Sequence, residues 1–218
     1  MKMISKLHYI SQGETTDEHL ENIQRACTSG ADCIQLRLKN INEEDLLNAA
    51  IKAREITAHF QTRLIINDHY KIAIEVKADG VHLGKSDACP NMARKELFSW
   101  QIIGGTANTL DDCLNLIEKK VDYIGLGPYQ FTKTKKNLSR ILGKDGYKAI
   151  IEELKTSTPI LAIGGITITD ITDIIDTGVY GVAVSGAITR DFNMISEFNR
   201  LLKGPSIHEK VWKAPKES

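Results

Sequence analysis

The chain has 218 residues, and its 28 Lys and Arg balance its 28 Asp and Glu, so the formal charge is zero. This balance gives no general pull toward nucleic acid or anionic lipid, and no apolar run reaches the roughly 18 residues of a membrane-spanning helix. The length suits one domain able to bury a sizeable core.

Along the chain, short apolar runs alternate with longer segments whose apolar residues recur at helical spacing. Strands are expected over 7–11, 33–38, 63–67, 80–83, 102–105, 123–127, 160–164 and 181–184. Between them, 43–59 predicts a helix in which Leu46, Leu47, Ala50, Ile51 and Ile56 share a face, and 109–119 predicts another opened by a Thr109 cap. Eight βα repeats without an internal linker predict an α/β chain folded as a single (β/α)8 TIM barrel over 1–203, with a polar tail over 204–218. Cys27, Cys33, Cys89 and Cys113 are widely spaced and form no CxxC pair, so neither a disulfide framework nor a zinc site is expected. With no signal-peptide core in residues 1–6, a soluble cytoplasmic protein with reduced thiols is expected.

Sites in such barrels lie where strands run into the following loops. In Gln35-Leu36-Arg37-Leu38-Lys39, alternation sends Gln35, Arg37 and Lys39 to one face and the leucines to the other, so three long donors are expected in the barrel mouth. Asn67 and Asp68 end the third strand, and Asp87 follows the fourth behind a Gly84 turn. Two carboxylates at neighbouring strand ends, without sulfur or paired imidazole, suit Mg²⁺ that also holds substrate phosphates. His82, between Val81 and Leu83, reads as a hydrogen-bonded structural histidine. After the sixth strand, Gly127-Pro128-Tyr129-Gln130-Phe131-Thr132-Lys133-Thr134-Lys135-Lys136 alternates hydroxyls with ammonium groups, the chemistry of a phosphate clamp, and 129–142 has the length and polarity of a lid. Glycines at Gly164-Gly165 and Ser185-Gly186 follow strands seven and eight, where barrels often hold phosphate.

Taken together and in order, Gln35-Leu36-Arg37-Leu38-Lys39, Ile66-Asn67-Asp68, Gly80-Val81-His82-Leu83-Gly84 with Asp87, Gly125-Leu126-Gly127-Pro128 leading to Thr132-Lys133-Thr134-Lys135, and Ala162-Ile163-Gly164-Gly165-Ile166 resemble the thiamine phosphate synthase family. The resemblance covers nearly the whole barrel. It implies a transferase that joins 4-amino-2-methyl-5-hydroxymethylpyrimidine diphosphate to 4-methyl-5-(2-phosphoethyl)thiazole, releasing pyrophosphate. Gln35, Arg37, Lys39 and Asn67 would hold the diphosphate, Asp68 and Asp87 would ligate Mg²⁺, and Thr106, Thr132, Thr134 and Lys135 would complete the anion cradle. Thr132 and Thr134 would lie toward the thiazole phosphate, bound also by Gly165 and the backbone of Ser185 and Gly186. Arg37, Lys39 and Lys135 would act on the departing pyrophosphate. The family more often carries a serine at the position of Gly186.

The implied partners are these two small-molecule substrates, without nucleic acid or membrane, and a homo-oligomer is compatible with the sequence. Two rival readings remain open at this point. The sister thiazole tautomerases share the barrel but use a histidine where this chain has Asn108, and tend to lose the Thr-x-Thr-Lys run. A non-catalytic sensor of phosphorylated ligands would bind without turnover.

Overall fold

The computed structural model describes residues 2–132 and 139–203. Eight parallel strands, β1 (Leu7–Ile10), β2 (Cys33–Leu36), β3 (Arg63–Asn67), β4 (Gly80–Leu83), β5 (Ile102–Ala107), β6 (Tyr123–Leu126), β7 (Ile160–Ile163) and β8 (Gly181–Val184), pair in chain order, and β1 closes on β8 with Tyr9 opposite Val184. Helices α1 (Thr16–Thr28), α2 (Glu43–His59), α3 (Tyr70–Glu75), α4 (Pro90–Glu96), α5 (Leu110–Glu118), α6 (Gly143–Leu154), α7 (Ile171–Ile175), α8 (Gly186–Arg190) and α9 (Met194–Lys203) complete the expected barrel. The expected tail over 204–218 lies outside the described residues. No described helix is long and apolar enough to cross a membrane, and the four cysteines are free.

β2 stops at Leu36 and not at 38, because the Arg37 N–H leaves the ladder to donate to Ser11 Oγ at 3.0 Å. β5 runs on to Ala107, since Thr106 and Ala107 still pair with Gly125 and Leu126. α2 spans the expected residues, with Asn42 accepting from the Asp45 N–H at 2.8 Å. One expected member of its apolar face is wrong: Ile51 is 42% exposed, while Ala49, Ala53 and Thr57 join Leu46 and Ala50 inside. At 3.6 residues per turn, a position five beyond Leu46 has rotated well off that stripe. α5 opens on Thr109 as expected, in a reciprocal cap with Asp112.

Side chains that point outward from the strands, such as Ile34, Leu64, Ile66 and Ile124, join the shell packed against the helices. Inward ones near the strand starts, Cys33, Ile65, Ile102, Tyr123 and Leu161, plug the barrel with Ile4. That closed end is tied by carboxylates. Asp79 accepts from the Leu64 N–H at 2.8 Å and from Arg54 at 2.6 Å, and Asp122 accepts from the Ile103 N–H at 2.7 Å while pairing with Arg94 and Lys2.

Because Asp122 serves the closed end alone, Asp122→Ala should lower the unfolding free energy in urea by roughly 2–3 kcal/mol while leaving turnover of the folded protein unchanged.

Candidate active site

The strand ends open on a cavity of about 850 Å³. Alternation along the strands decides which residues reach it: Gln35 and Arg37 on β2 and its continuation, Asn67 on β3, His82 on β4 and Thr106 on β5 all turn inward. Gln35, Arg37, Lys39, Asn67, Asp68, Asp87, Thr106, Thr132, Gly165, Ser185 and Gly186 line this one cavity. Thr134 and Lys135, with 133–138 of the expected lid, lie outside the described residues.

Along the β2–β3 rim, two donors have no hydrogen-bond acceptor among the described residues. The Arg37 guanidinium is partly buried, which pulls its pKa below the usual arginine range, and its opposing charge is Asp68. It closes no hydrogen bond among the described residues. Beside it the Asn67 Nδ2 is buried without a partner among the described residues. A buried N–H left unpaired is unfavourable, so two such donors side by side describe a place for an anion. Gln35 sits deeper, 3% exposed and hydrogen-bonded to Tyr123.

Asp68 follows Asn67 with φ at +68°, a left-handed turn that aspartate tolerates better than most residues and that lifts its carboxylate off the strand line. Its N–H donates to the His82 carbonyl at 2.8 Å, and its carboxylate pairs with Lys39 and hydrogen-bonds Asp87. The Asp87 carboxylate also accepts from the Gly84 N–H at 2.6 Å. Burial works against charge on Asp68, but the hydrogen bonds from Asp87 and Lys39 outweigh it and hold Asp68 below the usual carboxylate range; burial and the same shared bond push Asp87 up. No third His, Cys, Asp or Glu joins them in a cluster among the described residues. This oxygen pair fits Mg²⁺, which takes one or two carboxylates and leaves the remaining positions to water and phosphate.

Below the rim the wall becomes aromatic. His82 is hydrogen-bonded, as expected, with Nδ1 against the Tyr123 hydroxyl at 3.0 Å and Nε2 against Thr106 Oγ1 at 2.9 Å. Tyr123 lies over Gly104, where any Cβ would come within 2.1 Å of the phenol ring. His8 meets Tyr123 edge-on with centroids 5.1 Å apart. Burial, with His82 and Arg63 adding to it, lowers the His8 pKa to about 3, so the ring is neutral; the Ser5 backbone opposes this weakly.

On the opposite wall, Gly164 and Gly165 have φ of +92° and +76°, and a Cβ at Gly165 would strike Gln130 and the Phe131 carbonyl. Gln130 Nε2 donates to the Gly165 carbonyl at 2.7 Å and to Asp170 at 2.9 Å, fixing the loop after β6 to the loop after β7. The Ser185 hydroxyl donates to Gln12 Oε1 at 3.2 Å. Asn108 Nδ2 donates to the Gly127 carbonyl at 2.5 Å. His8, Gln12 and Tyr123 had no place in the sequence-based site, and Gln130 stood in the clamp stretch without a role of its own. For His8 and Tyr123 the signal was present, since both stand at inward positions of expected strands; Gln12 and Gln130 belong to loops, where no period applies.

A family profile described as thiamine monophosphate synthase matches residues 7–188. The thiamine-phosphate synthase of Flavobacterium psychrophilum is 43% identical over 206 residues, covering 92% of this chain and all of the relative. That of Flavobacterium johnsoniae is 46% identical over 190 residues, covering 86% of this chain and 90% of the relative. The solved thiamine phosphate pyrophosphorylase of Pyrococcus furiosus superposes with a TM-score of 0.76 at 28% identity, covering 91% of this chain and 93% of the other.

The depressed His8 pKa makes stability depend on acid. Below about pH 6.5 an unfolded chain takes up a proton that the folded one refuses until about pH 3, so stability falls as pH drops through that window. Substituting His8→Phe removes this contribution. Relative to wild type, the variant should gain about 2 kcal/mol between pH 7.5 and pH 5 in urea titrations, and should show no relative change between pH 7 and pH 8.

Proposed function

The chain belongs to the thiamine monophosphate synthase family, and we propose that it joins 4-amino-2-methyl-5-hydroxymethylpyrimidine diphosphate to 4-methyl-5-(2-phosphoethyl)thiazole, giving thiamine phosphate and pyrophosphate. The observation that carries the residue assignment is the rim itself. Donors on Arg37 and Asn67 that have no hydrogen-bond partner among the described residues stand beside the facing carboxylates of Asp68 and Asp87, the combination that a diphosphate travelling with a divalent cation requires.

In this reading Asp68 and Asp87 hold Mg²⁺, which when bound offsets negative charge on the diphosphate oxygens as a Lewis acid. Arg37, Asn67 and the Lys39 ammonium donate to the same oxygens, with Thr106 and Lys135 completing the cradle. As the pyrimidine CH₂–O bond breaks, its electron pair leaves with pyrophosphate, and these fixed donors meet the charge that develops there. The aminopyrimidine supports the resulting benzylic-type cation. The thiazole nitrogen then supplies the pair for the new C–N bond, so no general base is needed. Thr132, Thr134, Gly165 and the backbone of Ser185 and Gly186 hold the thiazole phosphate. The Ser185 hydroxyl, committed to Gln12, leaves that task to main-chain N–H groups. Tyr123, Leu161 and Ile163 form the drier lower wall, which keeps water from the cation.

Proton transfer of the tautomerase kind is disfavoured because Asn108 is not a base and its amide is spent on Gly127. We place the enzyme in the cytoplasm, in keeping with its free cysteines, three of them buried.

Purified protein given both phosphorylated substrates and Mg²⁺ should release pyrophosphate and form thiamine phosphate, and EDTA should stop both; a flat trace with folded protein would remove the assignment. In the same assay Arg37→Ala should lower kcat/KM about a hundredfold. Its melting temperature should not fall, because a partly desolvated cation without a hydrogen-bond partner among the described residues has been removed.

A further inference from the structure

Among the inward side chains His8 is the anomaly. It lines the cavity, is 1% exposed, and apart from a weak contact with the Ser5 backbone its ring nitrogens find no hydrogen-bond partner among the described residues. Its neighbours are already engaged: the Tyr123 hydroxyl with His82 and Gln35, and His82 with Thr106 in turn. The Ser5 backbone can engage at most one ring nitrogen, and a phenylalanine would fill the same space without stranding the other, so a native imidazole kept in this state calls for a partner that arrives.

The layering of the cavity says which part of a substrate reaches it. Phosphate-holding donors stand at the rim, whereas His8 lies with Tyr123, Leu161 and Ala183, a wall suited to a flat ring. Of the two heterocycles, the thiazole offers one ring nitrogen, and its lone pair must remain free to attack. The aminopyrimidine offers an exocyclic amine beside ring nitrogens, an edge of donors and acceptors that a neutral imidazole can match.

Resting on the synthase reading above, we propose that His8 is a specificity-determining residue that hydrogen-bonds the polar edge of the aminopyrimidine. A ring nitrogen accepts from the exocyclic amine. That bond strengthens as the pyrimidine becomes cationic, because the amine becomes a better donor, so His8 also favours the transition state. A protonated imidazole could not accept this bond and would repel the cation, which gives the apolar setting of His8 a purpose.

The test is steady-state kinetics of wild type and His8→Phe with each substrate varied in turn, together with ¹⁵N spectra of the wild-type histidine ring nitrogens during addition of the pyrimidine diphosphate alone. KM for the pyrimidine diphosphate should rise about tenfold and kcat should fall, while KM for the thiazole phosphate stays within twofold and the melting temperature holds or rises. The His8 nitrogen resonances should move with the pyrimidine substrate before any thiazole is present. Unchanged kinetics, a parallel rise of both KM values with loss of melting temperature, or resonances that stay still would overturn the proposal. Wild type that releases no pyrophosphate would overturn the synthase reading and this role with it, whereas active wild type matched by an equally active variant overturns the role alone. Should His8→Phe fail to fold, the wild-type resonances decide.

Discussion

A side chain on a strand of a closed parallel barrel has two directions, toward the helices or into the barrel, and every second residue must take the second. That constraint governs this molecule. The inward series begins apolar at the strand starts, with Cys33, Ile65, Ile102 and Leu161, and turns polar toward the ends, with Gln35, Arg37, Asn67, His82 and Thr106. Stability and chemistry are thereby separated along the barrel axis. The closed end is tied by Asp79 and Asp122 to backbone N–H groups of neighbouring strands, which frees the open end to carry donors that no group among the described residues satisfies.

Electrostatically the open end is mixed, although the chain as a whole is neutral. Arg37 and Lys39 attract anions, while Asp68 and Asp87 repel those that arrive bare. On the proposed reading this pairing favours a diphosphate carrying its divalent ion over a simple phosphate, since only the former satisfies both signs together. The Lys39–Asp68 pair and the hydrogen bond between the two carboxyl groups hold the acidic side in place, and the left-handed turn at Asp68 aims it.

Much of this could be read from the residues because period two is a local property. Alternation in Gln35-Leu36-Arg37 was enough to send those donors into the mouth, and the Asn67-Asp68 and Asp87 strand ends met as expected. The strand limits were less legible. β2 ends early because the Arg37 N–H finds Ser11, a contact made across strands that no window of sequence contains. Ile51 was misread because a helical face drifts with each turn. Gln130 was given no role of its own because that role, bridging Gly165 and Asp170, depends on two loops meeting in space. His8 was overlooked for another reason: only the finished packing shows that, the Ser5 backbone apart, its nitrogens have no partner among the described residues.

The central claim is that the Asp68–Asp87 pair and the Arg37–Asn67 donors form one site for a metal-bound diphosphate. Its most direct test is diffraction from crystals grown with pyrophosphate and Mn²⁺ in place of Mg²⁺, measured at the manganese absorption edge. The account predicts an anomalous peak shared by the Asp68 and Asp87 carboxylates, with pyrophosphate oxygens reaching Arg37 and Asn67. Pyrophosphate bound elsewhere in the barrel, or ordered at this rim with no metal peak between the two aspartates, would contradict it.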